Sequence, residues 1–133
     1  MARIILAEDD EIMGELIVDC LSRAGHAVGW LRNGHDALDA IRFRIPHLII
    51  LDQHMPRMSG GQVLRELRIR QNLAMIPVMM LTAVNGDADQ NIAFFDGADD
   101  YLTKPFKDDD LIFRARALIN CRIRRTMSDV IRR

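Results

Sequence analysis

The segment Leu-Ile-Ile-Leu-Asp at residues 48–52 decides how this chain folds. Four consecutive apolar residues without polar alternation are typical of a strand that is covered on both faces of a parallel sheet. An aspartate follows directly, so the strand predicted over residues 47–51 ends at a carboxylate. Other short runs predict four further strands, at residues 3–7, 27–31, 78–81 and 100–102.

Apolar residues at helical spacing occupy the intervals between these strands. The pattern predicts helices from residue 12 to a stop at Gly25, from Asn33-Gly34 to Pro46, from Ser59 onward, from Gly86-Asp87 to Gly97, and from near Asp108 to about residue 119. Ser59 and Gln62 have the spacing of a capping box. Strands that alternate with helices form parallel β-α-β units, so the sequence predicts one α/β sandwich of three layers.

The composition is that of one soluble domain. The 133 residues are 49% hydrophobic and 28% charged, which provides a core and excludes intrinsic disorder. The longest strongly apolar runs have four residues, whereas a membrane span needs about twenty. The first residues show no signal-peptide pattern. We therefore expect a cytoplasmic protein without a transmembrane helix.

Charge is distributed unevenly along the chain. Residues 114–133 contain seven arginines and one acid, a net charge of +6, so with a total of −1 the first 113 residues carry −7. An acidic body argues against broad binding of nucleic acid. We expect a domain at residues 1–121, followed by a basic helical extension or tail at residues 122–133. That tail is open to three interpretations: a nucleic-acid contact, a linker to an output domain, or a solvated helix end.

Chemistry-bearing side chains follow four of the five predicted strands. In sheets of this kind, ligands bind outside the carboxyl ends of the strands. Those positions hold Glu8, Asp9, Asp10 and Glu11 after the first strand, Asp52 after the third, Thr82 after the fourth, and Lys104-Pro105 close after the fifth. One rim of the sheet thus collects several carboxylates, a hydroxyl group and one ammonium group.

The predicted rim favours phosphoryl chemistry with a metal ion. Clustered carboxylates repel one another, and a hard divalent cation removes that cost. Mg²⁺ takes oxygen ligands, uses one or two carboxylates and keeps waters that a phosphate can replace. Lys104 then offers a second positive charge to a phosphoryl group, and Thr82 offers a hydrogen bond. Asp52 remains as a carboxylate nucleophile for phosphorus.

Each of these residue types also has a structural interpretation when it is considered alone. An acidic cluster is common at a helix N-terminus, and a lone aspartate is common in a turn. A threonine is common in a strand, and a lysine is usually on the surface. The joint placement of all four on one rim is what favours a functional site over these separate explanations.

Four motifs in register resemble the receiver domain of bacterial two-component response regulators. They are Ile-Ile-Leu-Ala-Glu-Asp-Asp at residues 4–10, Leu-Ile-Ile-Leu-Asp-Gln-His-Met-Pro-Arg-Met-Ser-Gly at 48–60, Val-Met-Met-Leu-Thr-Ala at 78–83 and Tyr-Leu-Thr-Lys-Pro-Phe at 101–106. The intervals also fit the family, with 43 residues from Asp9 to Asp52, 30 from Asp52 to Thr82 and 52 from Asp52 to Lys104. The resemblance covers about residues 3–120.

The resemblance implies a doubly wound, flavodoxin-like (βα)5 fold with a five-stranded parallel sheet in the strand order 2-1-3-4-5. It implies a self-phosphorylating phosphoacceptor rather than an enzyme, which uses Mg²⁺ to take a phosphoryl group from a sensor histidine kinase or a histidine phosphotransfer protein. Intrinsic hydrolysis of the aspartyl phosphate is expected to be slow. The face formed by the fourth helix, fifth strand and fifth helix then controls a downstream protein, and phosphorylation can favour a homodimer.

The resemblance also assigns roles to single residues of the metal site. Asp52 matches the phosphoacceptor and a metal ligand, and Asp9 matches the direct Mg²⁺ ligand. Glu8 matches the acid that holds a metal-bound water, and the backbone carbonyl of His54 completes the protein ligands.

A second set of residues is assigned to the phosphoryl group and the switch. Thr82 matches the switch hydroxyl, and Tyr101 matches the aromatic side chain that turns inward with it. Lys104 matches the phosphate-pairing lysine, and the Lys104–Pro105 bond is typically cis in this family. Gly60 matches the glycine in the loop after the acceptor.

Some matched positions vary among relatives. Glu8 replaces the commoner aspartate, and Ser59 stands where an aspartate is frequent. His54 and Val84 occupy the positions thought to tune dephosphorylation, and neither supplies an amide or a carboxylate that could position water. The alternative for His54 is a simple exposed loop residue.

Other functions fit the motifs less well. A nucleotide- or flavin-binding module needs a glycine-rich turn after the first strand, where this chain has acids that repel phosphate. A haloacid-dehalogenase-type phosphatase needs a second aspartate at the position of His54. We expect a stand-alone receiver domain. We do not expect this domain alone to bind nucleic acid. The alternative is a receiver fragment of a larger regulator whose DNA-binding or enzymatic output domain is absent from this chain.

Overall fold

Five parallel strands form a single sheet at the centre of the molecule. The computed structural model of the chain describes residues 1–83 and 97–132, with side chains as far as residue 121. The strands are β1 (Arg3–Ala7), β2 (Ala27–Leu31), β3 (Leu48–Asp52), β4 (Val78–Thr82) and β5 (Asp100–Thr103). Their order across the sheet is β2-β1-β3-β4-β5. The predicted strand order and doubly wound fold are therefore confirmed.

Helices connect the strands and cover the sheet. The described helices are α1 (Glu11–Arg23), α2 (Gly34–Phe43), α3 (Gly60–Arg68) and a C-terminal helix (Asp108–Arg132). The helix predicted between Gly86 and Gly97 falls on residues 84–96, outside the described residues. The C-terminal helix passes without a break through the domain boundary expected after residue 121. Among the described helices, none is both long and apolar enough to span a membrane.

Side-chain caps fix where α1 and α3 begin. Asp10 accepts a hydrogen bond from the Met13 backbone N–H at 2.7 Å and so caps α1. At α3, Ser59 and Gln62 form the predicted capping box, in which each side chain accepts from the other residue's backbone N–H, at 3.2 and 2.9 Å. Gly25 follows α1 with a φ of 95°, a conformation that glycine adopts at little cost. The predicted capping box and the predicted helix stop at Gly25 are confirmed.

Three of the four strands that lead into the rim run one residue further than predicted. β3 includes Asp52, β4 includes Thr82 and β5 includes Thr103. The reason is the parallel ladder, in which Asp52 pairs with Leu81 and Thr82 pairs with Thr103. The side chains at these strand ends are consequently carried by hydrogen-bonded backbone rather than by loops.

Two apolar clusters hold the layers together, one on each face of the sheet. α1 and the C-terminal helix pack on one face through residues such as Ile17 and Leu111. α2 and α3 pack on the other face through residues such as Ile41 and Leu64. All five residues of β3 are buried, as its uninterrupted apolar run predicts for a strand covered on both sides.

Candidate functional site

Four strands bring polar side chains to one edge of the sheet. Glu8 follows β1 directly, Asp52 closes β3, Thr82 closes β4 and Lys104 follows β5. Because all five strands are parallel, these four positions lie at the same, carboxyl, end of the sheet. The structure therefore places the predicted rim residues side by side.

A single ammonium group bridges two buried carboxylates at this edge. Lys104 Nζ donates to Glu8 Oε2 at 2.9 Å and to Asp52 Oδ1 at 3.2 Å. The Glu8 side chain is fully buried, and those of Asp52 and Lys104 are 9% and 22% exposed. The other Glu8 oxygen, Oε1, accepts from the Asp10 backbone N–H at 3.1 Å. Glu8 is thus fixed at both of its carboxylate oxygens.

Burial dominates the proton equilibria of this cluster. It raises the pKa of Glu8 and of Asp52 above their ordinary values, against the opposing effect of the Lys104 ammonium group. Burial alone would lower the pKa of Lys104, but the hydrogen bond to Glu8 and the charge of Asp52 raise it overall. Burial therefore outweighs the stabilisation that one shared ammonium group gives to the two carboxylates.

Three carboxylates at this edge can reach one metal ion. Glu8, Asp9 and Asp52 each offer an oxygen atom, and these atoms lie within 4.8 Å of one another. The Asp9 side chain is exposed, whereas the other two are buried. A set of hard oxygen donors fits Mg²⁺, which prefers oxygen ligands and retains water. A second cluster in the described part of the chain, His35, Asp36 and Asp39 on α2, is exposed.

Thr82 and Tyr101, the two predicted switch residues, are both buried. Thr82 is buried, and its Oγ1 has no hydrogen-bond partner among the described residues. The Thr82 carbonyl accepts from the Lys104 backbone N–H at 2.7 Å, which ties the end of β4 to the residue after β5. Tyr101 is only 9% exposed and lies in the apolar cluster beneath α2 and α3, so its side chain is already inside the protein.

The first residue of α3, at the end of the loop that follows β3, approaches Asp52 closely. A Cβ atom on Gly60 would lie 2.4 Å from the Asp52 carbonyl oxygen, so only glycine fits there. His54 is exposed in this loop, and the metal-ligand role of its carbonyl stays a prediction. The Lys104–Pro105 peptide bond is cis. Val84 lies outside the described residues.

The sequence patterns left one feature of the site open and did not indicate another. Asp10 belongs to the cap of α1, so the acidic run after β1 divides between a cap and the site. Trp30, on β2, donates its indole N–H to the Glu8 carbonyl at 2.8 Å. That contact depends on the pairing of β2 with β1, and the only signal in the sequence is a tryptophan within a short edge strand.

The doubly wound sheet and the lysine-bridged carboxylates at its carboxyl end agree with one protein family. The family model described as "Response regulator receiver domain" matches residues 4–116. The chain belongs to this family. Receiver domains serve two-component signalling and are not enzymes of the usual kind, and phosphorylation and Mg²⁺ binding are general features of the family.

The chain is similar to one part of longer regulators. It is 40% identical over 116 residues to "Transcriptional regulatory protein GltR" of Pseudomonas aeruginosa. The aligned region covers 87% of this chain and 48% of that protein. It is 45% identical over 116 residues to "Response regulator protein PmrA" of the same species. The aligned region covers 87% of this chain and 52% of that protein. The chain spans about half the length of these relatives.

Solved receiver domains share the fold. The receiver domain of a sensor histidine kinase from Pseudomonas aeruginosa superimposes with a TM-score of 0.84 at 28% identity, covering 90% of this chain and 98% of that chain. The structure of that domain has a magnesium ion coordinated in its active-site cleft.

Proposed function

We propose that this chain is a phosphoacceptor of a two-component phosphorelay, in which Asp52 takes a phosphoryl group from a sensor histidine kinase or a histidine phosphotransfer protein. The observation that carries the proposal is the Lys104 ammonium group shared by Glu8 and Asp52, at 2.9 and 3.2 Å, beside the Asp9 carboxylate. A carboxylate held next to positive charge is a suitable nucleophile for phosphorus.

The proposed transfer exchanges one bond at phosphorus. An Asp52 oxygen forms a P–O bond, while the P–N bond to the donor histidine breaks and its electron pair stays on the imidazole nitrogen. The product is an aspartyl phosphate, to which Lys104 can donate hydrogen bonds and toward which Thr82 can turn its hydroxyl. Attack by water on the same phosphorus releases phosphate and returns the carboxylate. We propose that this hydrolysis is slow, because the exposed His54 offers no carboxylate or amide to position the water.

The proposed cofactor is Mg²⁺. Asp9 and Asp52 would hold it through their carboxylates, Glu8 through a bound water, and His54 through its backbone carbonyl. When bound, the ion neutralises negative charge on the phosphoryl oxygens and on the buried acids. The geometry supports this assignment, because the buried Glu8 and Asp52 carboxylates share a single ammonium group and the Asp9 carboxylate lies beside them.

Labelling with a small phosphodonor tests the proposed function. Wild-type protein incubated with acetyl phosphate and Mg²⁺ is expected to gain one phosphate per chain, removable by hydroxylamine as an acyl phosphate is. Intact-mass spectrometry measures the gain. Absence of labelling under these conditions, in protein that is folded and binds Mg²⁺, would count against the proposal.

Removing one proposed metal ligand should weaken Mg²⁺ binding. Asp9→Asn keeps the side-chain size and removes one of three carboxylates, so the Kd for Mg²⁺ is expected to rise at least about tenfold, equivalent to about 1.4 kcal/mol. Isothermal titration calorimetry gives the Kd, and Glu11→Gln, an exposed acid two residues away, is the control. Labelling that proceeds equally well in excess chelator would refute the role of the metal.

Removing the Thr82 hydroxyl should make the conformational response incomplete. A shift from 1:99 to 99:1 needs about 5.5 kcal/mol of differential interaction, and one hydrogen bond to a charged group contributes about 1.5–3 kcal/mol. Thr82→Ala is therefore expected to bind beryllofluoride, a phosphoryl mimic, yet show smaller amide NMR shifts along β5 than wild type. Because Tyr101 is already buried, the wild-type response is expected as a change of its packing rather than a change of its exposure. Equal shifts along β5 in both proteins would contradict the role of Thr82.

A second candidate is the receiver part of a longer regulator. It is favoured by the relatives named above, which are about twice as long and include a transcriptional regulatory protein. In either case we propose a cytoplasmic protein with a downstream protein partner, and a homodimer as one outcome of phosphorylation. Reading the gene to its natural stop codon distinguishes the two candidates.

A further inference from the structure

The only tryptophan of the chain lies against the segment that carries Glu8 and Asp9. Trp30 is in β2, the edge strand beside β1, and its indole N–H donates to the Glu8 carbonyl at 2.8 Å. The Glu8 backbone N–H in turn donates to the carbonyl of Leu31 at 3.0 Å. Two neighbouring residues of β2 therefore hold both backbone polar groups of Glu8.

The indole ring is itself held by two contacts. A Cβ atom on Gly14 in α1 would lie 2.0 Å from the six-membered ring, so the ring occupies the space that a side chain at this position would take. The Arg32 guanidinium lies 4.2 Å from the ring centroid, which is a cation–π contact. Packing thus sets the direction of the indole N–H before any ligand binds.

The carbonyl that accepts this hydrogen bond belongs to the peptide unit that joins Glu8 to Asp9. A peptide unit is planar, so fixing its oxygen also fixes the direction in which the chain enters Asp9. Within the described ranges, no hydrogen bond fixes the Asp9 carboxylate itself, although its oxygen comes within 4.8 Å of those of Glu8 and Asp52. The backbone is therefore what places the Asp9 side chain.

We infer that Trp30 is a positioning residue for the cation site, because its indole N–H holds the Glu8–Asp9 peptide so that the Asp9 carboxylate is placed for Mg²⁺. The inference rests on the proposed function, since it requires Mg²⁺ at these carboxylates. Trp30 acts through Asp9 and touches neither the ion nor the phosphoryl group. Loss of one neutral hydrogen bond corresponds to a loss of Mg²⁺ affinity of about two- to tenfold.

Calorimetric titration of Mg²⁺ into the full chain tests this inference. Trp30→Phe removes the N–H and keeps an aromatic ring, and it is expected to raise the Mg²⁺ Kd about two- to tenfold. Val28→Ala is the matched control, because Val28 lies two residues earlier in β2 and packs in the same apolar cluster. It is expected to lower the Tm while it keeps the wild-type Kd. If both variants keep the wild-type Kd, or both weaken binding equally, the inference is wrong.

The rate of labelling by acetyl phosphate gives a second readout. Trp30→Phe is expected to need more Mg²⁺ for its half-maximal rate and to approach the wild-type rate at saturating Mg²⁺. A lower maximal rate at an unchanged Mg²⁺ requirement indicates a structural role only and overturns the inference.

Two further measurements, the indole N–H signal of the wild type and the Mg²⁺ affinity of Asp9→Asn, complete the test. If Trp30→Phe does not fold, the single indole N–H signal in the ¹⁵N NMR spectrum of the wild type is expected to move along the Mg²⁺ titration, and a stationary signal overturns the inference. Failure of the proposed function has a different signature, in which Asp9→Asn binds Mg²⁺ as tightly as wild type.

Discussion

Asp52→Asn is expected to abolish phosphorylation completely and to stabilise the fold. The amide has no carboxylate oxygen with which to form an acyl phosphate, so labelling by acetyl phosphate or by a phosphohistidine donor should fall to background. The same change removes a charge whose burial raises the Asp52 pKa. We expect a Tm a few degrees higher at neutral pH, as about 1 kcal/mol produces in a domain of this size.

The pH dependence of stability follows from the sign of that pKa shift. A carboxyl group whose pKa is raised on folding binds more protons in the folded state, so wild-type stability falls as pH rises from the ordinary pKa through the raised one. In thermal melts recorded at a series of pH values, the stability of Asp52→Asn should not show this part of the decrease with rising pH. Asp39→Asn, an exposed aspartate on α2, is the control and should label and melt like wild type. Labelling of the Asp52 variant at wild-type stoichiometry would show that another residue is the acceptor.

Lys104→Ala is expected to cause the largest loss of stability among the site variants. It leaves Glu8 and Asp52 buried without the ammonium group that they share. Removing one partner of a buried ion pair is strongly destabilising, and with Lys104 partly exposed we expect about 2–3 kcal/mol in urea unfolding at neutral pH. Phosphorylation of Asp52 should persist, whereas the amide shifts along β5 should be lost because nothing ties the phosphoryl group to the end of that strand.

Two conditions should reverse the destabilisation. Without the ammonium group the Glu8 and Asp52 pKa values rise further, so stability recovers as the pH is lowered and the carboxyls gain protons. Added Mg²⁺ should recover it at neutral pH. Lys107→Ala removes the only other lysine of the chain, which is exposed, and serves as the control. A Lys104 variant that is destabilised equally at every pH and Mg²⁺ concentration would show that the lysine acts through packing alone.

Strand positions could be predicted closely because each strand is a short apolar run with a clear polar end. The patterns placed the ends of β3, β4 and β5 one residue early, since they mark where apolar residues stop. Hydrogen bonding in the ladder continues through Asp52 and Thr82, whose polar side chains interrupt the run but whose backbones pair normally. The predicted fourth helix, on residues 84–96, stays a prediction.

The site could be predicted only in part, because sequence order identifies strand ends and says little about contacts across strands. The acidic run after β1 had two interpretations, a helix cap and a site. The structure divides the run, since Asp10 caps α1 whereas Glu8 contacts Lys104 at the carboxyl end of the sheet. The site interpretation of Glu8 stays a prediction. The contact of Trp30 with Glu8 needs the β1–β2 register, in which Leu6 pairs with Trp30, and no local pattern encodes that register.

The backbone of Asp52 has little conformational entropy left to lose. It closes a strand that lies between β1 and β4, it pairs with Leu81, and Gly60 lies against its carbonyl oxygen. Fixing the backbone of one residue costs about 1–2 kcal/mol, and for Asp52 folding has already met that cost. Chemistry at this side chain therefore needs no further ordering of its own strand. If Asp52 is phosphorylated as proposed, we expect the free energy of new hydrogen bonds from Thr82 and Lys104 to be available to move the ends of β4 and β5.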